Sequence, residues 1–294
     1  MSNVRSIASE HKVLVICVNY YNEEDTHGFV SSLLSQRCSG SLQVVVIDNS
    51  GKESLNPLLI DLATDSRVNI LNPGGNLGYF GGAAWGLKNF SASEPLPDWV
   101  IVANTDMSFP NGDFFNKLFS CYPHGFKGVL VPSIYSTLSE TDQNPYMLSR
   151  PKAVRMHFYK WVFRFYPIST AYQVLAFVIK KLLTLIRRKK TTLASCQENR
   201  EVLQPQRIYA PHGSFIIFHR SYFEEGGNLE HGVFLFGEEV FVAETTRRLG
   251  LNILYDPRLI VLHREHATTG TFKNRKIARF VREATTYCAD EFFC

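Results

Sequence analysis

Residues 99–108 read Trp-Val-Ile-Val-Ala-Asn-Thr-Asp-Met-Ser. The apolar run Trp99-Val100-Ile101-Val102 is short and continuous, the pattern of a strand buried on both faces. Asn104 and Asp106 follow at its end, where a carboxylate contributes nothing to packing. The same pattern precedes this stretch three times. Val13-Leu14-Val15-Ile16-Cys17-Val18 runs into Asn19-Tyr20-Tyr21-Asn22. Leu42 to Ile47 stops at Asp48-Asn49-Ser50-Gly51, and Val68-Asn69-Ile70-Leu71 stops at Asn72-Pro73-Gly74-Gly75. Between the first two runs Phe29, Leu33 and Leu34 fall at helical spacing. Strands alternating with helices predict an α/β fold, a Rossmann-like, mostly parallel central sheet with helices on both faces. Ligands of such sheets bind beyond the carboxyl ends of the strands. Asn19, Asp48, Asn76 and Asp106 all fall at or just after such ends.

The chain has 294 residues, 45% hydrophobic and 20% charged, with a formal net charge of +4. That is ordinary globular composition with length enough for a large core. The mild positive balance does not by itself imply nucleic acid, and no nucleic-acid motif is present. Six cysteines are scattered without a C-x-x-C pair, as expected of reduced thiols in a cytoplasmic protein. Residues 1–12 are polar and lack a secretory apolar stretch.

The segment "NPGGNLGYFGGAAWGL", residues 72–87, is rich in glycine and opens a helical pattern. Glycines there let backbone N–H groups approach an anion at a helix N-terminus, or let the helix pack closely. The spacing is neither G-x-G-x-x-G nor a P-loop.

Taken in order, these features resemble the family 2 glycosyltransferases of GT-A fold, in the bacterial branch with rhamnosyltransferases of surface polysaccharides. The resemblance rests on "VLVICVNYYNEED", "VVVIDNSG", "NLGYFGG", "NTD", "GEEVFVAETTRRLG" and "LIVLHREH". It spans roughly residues 12–145 and 207–270. It implies inverting, metal-dependent transfer of a sugar from a nucleotide-diphosphate donor, dTDP-rhamnose or a UDP-hexose, to a saccharide acceptor. The setting it implies is O-antigen or capsular polysaccharide synthesis. In the family the aspartate of the "NTD" motif ligates the divalent cation on the donor diphosphate, here Asp106, with His263 reaching the same metal or diphosphate. Mg²⁺ or Mn²⁺ stabilises the charge that grows on a diphosphate leaving group and needs few protein oxygens. Asn104 has an amide oxygen without charge and is assigned to the nucleotide side. Asp48 matches the family's base- or ribose-binding aspartate; Asn19, Asn76 and Gly78 are placed near the nucleotide, and Gly213 of "HGS" at the donor sugar.

"FGEEVF" puts Glu238 and Glu239 at the start of a helical pattern. Acids there suit the helix dipole, and one of them also suits proton removal from an attacking hydroxyl. The family pair is usually Glu-Asp with the second acid as base, which implies Glu239 with Glu238 beside it. Phe241 and Thr245 stand where the family has an Asp and an Arg. An inactive scaffold of the same fold is the alternative those departures keep open. A nucleotide-binding oxidoreductase is disfavoured, because the first strand lacks its glycine fingerprint.

Composition changes between residues 146 and 206. Residues 150–190 hold eleven Lys and Arg and no acid, with Phe158, Tyr159, Trp161, Phe163, Phe165 and Tyr166 interleaved. Leu175, Val178, Ile179, Leu182, Leu183 and Ile186 repeat at helical spacing. Such a helical insertion either packs on its own domain or lies on an anionic membrane surface, where a lipid-linked acceptor is presented. It is too short and too charged to span a bilayer. The expected organisation is a GT-A domain over residues 1–275, with the basic insertion at 146–206 and a helical tail at 276–294. The expected location is cytoplasmic, at the inner face of the membrane.

Overall fold

The computed structural model describes residues 11–122, 125–172, 204–265 and 275–294. Each of the four apolar runs is a strand: β1 (Lys12–Asn19), β2 (Ser41–Asp48), β3 (Val68–Leu71) and β4 (Trp99–Ala103). They lie side by side in the order β3-β2-β1-β4, all parallel. The intervening α1 (Glu23–Leu34), α2 (Pro57–Leu62) and α3 (Tyr79–Ser91) make the crossovers. After β4 come β5 (Met107–Ser108), α4 (Phe114–Cys121), β6 (Gly128–Ser136), β7 (Thr141–Asp142) and α5 (Ala153–Arg164). The chain then forms β8 (Gln206–Ile208), β9 (Phe215–His219), α6 (Arg220–Glu224), α7 (Glu238–Arg248), β10 (Asn252–His263) and α8 (Arg275–Phe292).

The sheet continues from β4 through β9, β6 and β10 to β5. β9 runs against both of its neighbours, while β10 returns parallel to β6. The sheet is therefore mostly parallel, with its reversals in the second half.

Strand alternation sends side chains into two cores. Leu14, Ile16, Val45, Ile47, Val100 and Val102 face α3, α7 and α8. Val13, Val15, Cys17, Val44, Val46 and Ile101 face α1, α2 and α4. Phe241, where the resemblance leads one to expect an acid, is buried against Phe80 and Phe292 in the first core.

The last helix is part of this body. Phe280, Ala284, Cys288, Ala289 and Phe292 of α8 are buried. α5 lies along α8, tied by Lys160 to Asp290 at 2.5 Å and by His157 to the Phe293 carbonyl at 3.1 Å. Arg150 donates to the Phe292 carbonyl and to fully buried Glu244 on α7, and its guanidinium stacks on Phe293. The stripe expected at 175–186 and the loop after Glu265 lie outside the described residues.

Candidate active site

The ends of β1 and β2 are locked to each other. Asn19 pairs with Asp48 in register, and its Nδ2 donates to Asp48 Oδ1 at 2.9 Å. Asn19 is fully buried; its Oδ1 accepts from Asn22 N and Thr26 Oγ1. It therefore shapes the loop that presents Tyr20 and Tyr21, both exposed, with Lys52 over the Tyr21 ring. Asp48 Oδ1 also accepts from Ser50 N, an Asx turn that closes the strand.

Asn49 joins this corner to the glycine stretch, donating to the Gly78 carbonyl at 2.9 Å and to Asn76 Oδ1 at 3.2 Å. Asn76 Oδ1 accepts from Gly78 N as well. Gly78 sits at φ +77°, and a Cβ there would lie 2.0 Å from the Phe234 carbonyl oxygen, so only glycine fits.

Beyond β4, the Asn104 backbone N–H donates to the Ser214 carbonyl, which places "NTD" beside "HGS". His263, the last residue of β10, pairs with Met107 across the antiparallel β5. That pairing sets His263 Nε2 3.0 Å from Asp106 Oδ2. The other oxygen, Asp106 Oδ1, is buried with no partner. A buried carboxylate oxygen left unpaired is costly, and a divalent cation is one partner that could satisfy it. No three His, Cys, Asp or Glu side chains converge into a metal centre among the described residues. Asp106 and His263 alone fit a hard cation that takes its other ligands from phosphate and water.

Glu238 and Glu239 open α7 after two residues with left-handed backbone, Phe236 at φ +69° and Gly237 at φ +85°. A Cβ on Gly213 would lie 2.9 Å from Glu238 Cγ and 3.1 Å from Glu239 Oε1, so both acids lean on that glycine. Each keeps some surface open to the cleft while the protein around it disfavours charge. Burial, then the repulsion of Glu239, raises Glu238 to a pKa of about 8. Burial raises Glu239 as well, opposed by its own backbone N–H and that of Gly213. The pair thus holds a proton at neutral pH, and Glu239 is the acid whose charged form receives the Gly213 N–H.

Three further side chains close the cleft. Tyr79 donates to the Gly213 carbonyl at 3.1 Å; burial and then the charges of Glu238 and Asp106 raise its pKa well above the ordinary value. Tyr146 is raised chiefly by the charge of Glu239. Its ring stands edge-on to His212, whose own ring is 6.0 Å from that of His263. Burial, then the neighbouring His263, lowers His212 to about 4, so it is a neutral imidazole.

The fold thus brings Asp106, His263, Gly213, Glu238 and Glu239 around one cleft. Asn19, Asp48, Asn76 and Gly78 form the adjoining corner of the sheet end. Asn49, Tyr79, Gln143, Tyr146 and His212 were not assigned from sequence. Asn49 lies in "VVVIDNSG", Tyr79 in "NLGYFGG" and His212 in "HGS", all within motifs; Gln143 and Tyr146 stand among residues that carry no pattern.

A structure of GalNAc-T7 with UDP, GalNAc and Mn²⁺ shares the fold, at TM-score 0.57 and 16% identity, covering 94% of this chain and 48% of that one. So does the mannosyltransferase PcManGT of Pyrobaculum calidifontis with GDP-Man and Mn²⁺, at TM-score 0.50 and 12% identity, covering 96% and 71%. Both neighbours are GT-A glycosyltransferases. Among curated proteins, the low-salt glycan biosynthesis hexosyltransferase Agl10 of Haloferax volcanii is 24% identical over 240 residues. That alignment takes in 81% of this chain, which spans only 62% of the length of the relative. The model of glycosyl transferase family 2 matches residues 13–227, most of the sequence, and the chain belongs to that family.

Proposed function

We propose that the protein transfers a sugar from a nucleoside-diphosphate donor to a saccharide hydroxyl, by direct displacement with inversion. The observation that carries this reading is the convergence of two side-chain pairs of different character, one carboxylate–imidazole and one carboxylate–carboxylate, at the strand ends. One is Asp106 with His263; the other is Glu238 with Glu239, leaning on Gly213.

The nucleoside end of the donor lies over the β1–β2 corner, where Asp48 accepts from base or ribose donors and Asn76 and Gly78 shape the floor. Asp106 and His263 would hold Mg²⁺ or Mn²⁺, which would supply charge stabilisation to the departing diphosphate. Glu239 takes the proton of the acceptor hydroxyl as that oxygen attacks the anomeric carbon. Glu238 carries the pair's proton, and Tyr79 and His212 narrow the space in which water could compete. The GT-A unit is read as residues 1–275, with 276–294 as its closing helix.

The donor proposed is dTDP-rhamnose or a UDP-hexose, and the acceptor a lipid-linked saccharide of a surface polysaccharide. A membrane setting is supported by α5. Val154 (80% exposed), Phe158, Trp161 and Phe165 (each about half exposed) fall at helical spacing on one outward stripe. Arg155 and Arg164 flank it, and residues 150–172 contain no acid. Apolar and aromatic residues beside cations suit the interface of an anionic bilayer. No helix among the described residues is long and apolar enough to cross a membrane.

The test is a panel of sugar nucleotides, scored for thermal stabilisation and for metal-dependent donor hydrolysis. One donor should stabilise the protein and be hydrolysed only with Mg²⁺ or Mn²⁺. A protein that neither binds nor turns over any nucleoside diphosphate sugar would overturn the assignment.

A further inference from the structure

Gln143 stands in none of the motifs, yet its side chain meets the His263 ring at the nitrogen facing away from Asp106. Its side-chain amide lies between two groups. On one side Nε2 donates to Glu265 Oε1. A carboxylate only accepts, so the amide nitrogen must take that side and the amide oxygen the other. Oε1 then meets His263 Nδ1 at 2.7 Å. An amide oxygen also only accepts, so Nδ1 carries the hydrogen. Whenever the ring is neutral, Nε2 is therefore the bare nitrogen, and it is the one 3.0 Å from Asp106.

The residues on either side hold Gln143 in place. Its backbone N–H donates to the Ile134 carbonyl at 2.8 Å. Asp142 pairs with Tyr135 across β6 and β7, and its carboxylate accepts from Ser133 Oγ, Ile134 N and Tyr255 Oη. Asn144 donates to the Pro132 carbonyl at 2.9 Å and accepts from His212 N at 2.9 Å. On the far side the His263 carbonyl accepts from Thr137 N at 2.9 Å. Gln143 is thus fixed at its backbone and at both ends of its amide.

We propose that Gln143, oriented by Glu265, is a positioning residue that keeps the His263 hydrogen on Nδ1 and so offers a bare Nε2, beside Asp106, to a divalent cation. The proposal rests on the metal reading of Asp106 and His263 given above. Without the amide oxygen, the ring can carry its hydrogen on Nε2 and donate it to Asp106. The two ligands then satisfy each other, and a cation must break that bond to bind. Partners that orient a ligating histidine in this way are worth about 10- to 100-fold in metal affinity.

The experiment titrates Mn²⁺, alone and with UDP, into wild type and four variants, counting free Mn²⁺ by its electron paramagnetic resonance signal. Gln143→Ala should bind Mn²⁺ about 10- to 100-fold more weakly, with UDP affinity in EDTA and thermal stability near wild type. Gln143→Glu sets two carboxylates face to face, and Glu265→Gln frees the amide to turn; each should weaken Mn²⁺ binding. The double exchange Gln143→Glu with Glu265→Gln restores the order, a carboxylate accepting from Nδ1–H and an amide donating to that carboxylate. It should recover most of the affinity, which a purely structural role for Gln143 would not produce. Wild-type affinity in Gln143→Ala, or a double exchange as weak as its single components, overturns the proposal while leaving the metal site intact. Absence of Mn²⁺ binding to wild type, with and without UDP, overturns the metal reading itself.

Discussion

Gly213→Ala is the sharpest probe of the site, because the nearest atoms to the added methyl group all belong to the two acids. Its Cβ would sit 2.9 Å from Glu238 Cγ, 3.1 Å from Glu239 Oε1 and 3.2 Å from Glu238 Oε1. Ordinary contact begins near 3.4 Å, so the acids must yield by about 0.5 Å at the closest point. Misplacing a reacting group by about 1 Å can cost roughly 100-fold; half that displacement corresponds to about 10-fold, or some 1.4 kcal/mol of barrier. The loss should fall chiefly on kcat for transfer, with affinity for the free nucleoside diphosphate unchanged, because the nucleoside corner is not touched. Stability should change by less than about 1 kcal/mol, since both acids are only partly buried and the contacts are with side chains, not backbone. Gly78→Ala is the contrasting control: its Cβ would lie 2.0 Å from a backbone oxygen at φ +77°, and the protein should fold poorly. The assays are steady-state transfer, donor titration calorimetry and thermal unfolding. A Gly213→Ala protein that transfers at the wild-type rate would show that the acids stand away from the reacting centre.

Glu239→Gln should leave donor binding near normal and slow transfer about 100- to 10,000-fold, with Glu238→Gln milder; the reverse ranking at intact donor affinity exchanges their roles. Glu238, held up at about 8, binds its proton more tightly folded than unfolded. Its contribution to stability is therefore full below the ordinary carboxylate range and lost as pH rises towards and through 8. The melting temperature of wild type should accordingly fall from pH 5 to pH 9 more steeply than that of Glu238→Gln, and equal slopes would refute the burial of that proton. Asp106→Ala should stay folded and lose metal-dependent donor turnover by on the order of 100-fold or more; turnover at the wild-type rate would remove it from the metal site. Phe158→Ser with Trp161→Ser should abolish flotation with anionic vesicles and leave donor hydrolysis in solution unchanged, and undiminished flotation would move the membrane contact elsewhere.

The strands were legible because each doubly buried strand had to be apolar throughout, and each ended where a polar residue met the cleft. Val13–Val18, which runs into Asn19, and Trp99–Ala103, which runs into Asn104, are runs of that kind. The helix at Glu238 was legible from its acids, and His263 from the apolar strand before it. What stayed hidden was the set of residues joined only by the tertiary fold. Gln143 meets His263 across 120 positions of chain, and Tyr79 meets Gly213 across 134. Neither residue type announces its role, since a glutamine after a short strand or a tyrosine at a helix start is commonplace. The steric demand on Gly213 was equally silent, because it arises from side chains 25 and 26 residues later in the sequence. Asn19 was readable as a strand-end polar residue, but not as one whose amide is spent entirely on the protein. The exposed stripe on α5 was visible only as aromatics within a basic segment; which of them face outward depends on how α8 covers the rest.

The last helix has a consequence for biosynthesis. Gly237, the hinge into Glu238, lies where a Cβ would meet Cys288 Sγ at 2.9 Å and Ala284 Cβ at 3.4 Å, and His231 packs edge-on against Tyr287. The loop that aims the acid pair is therefore backed by residues translated after every other part of the cleft. While the ribosome is still adding α8, β1 to β4 have already emerged with their crossover helices α1, α2 and α3, and this segment carries the residues of the nucleoside corner. On the proposed roles of the two sites, the nascent chain would hold a nucleotide before it could deprotonate an acceptor. Donor binding should thus precede competence for transfer during synthesis, and a polypeptide stalled before Arg275 should bind nucleotide without consuming it.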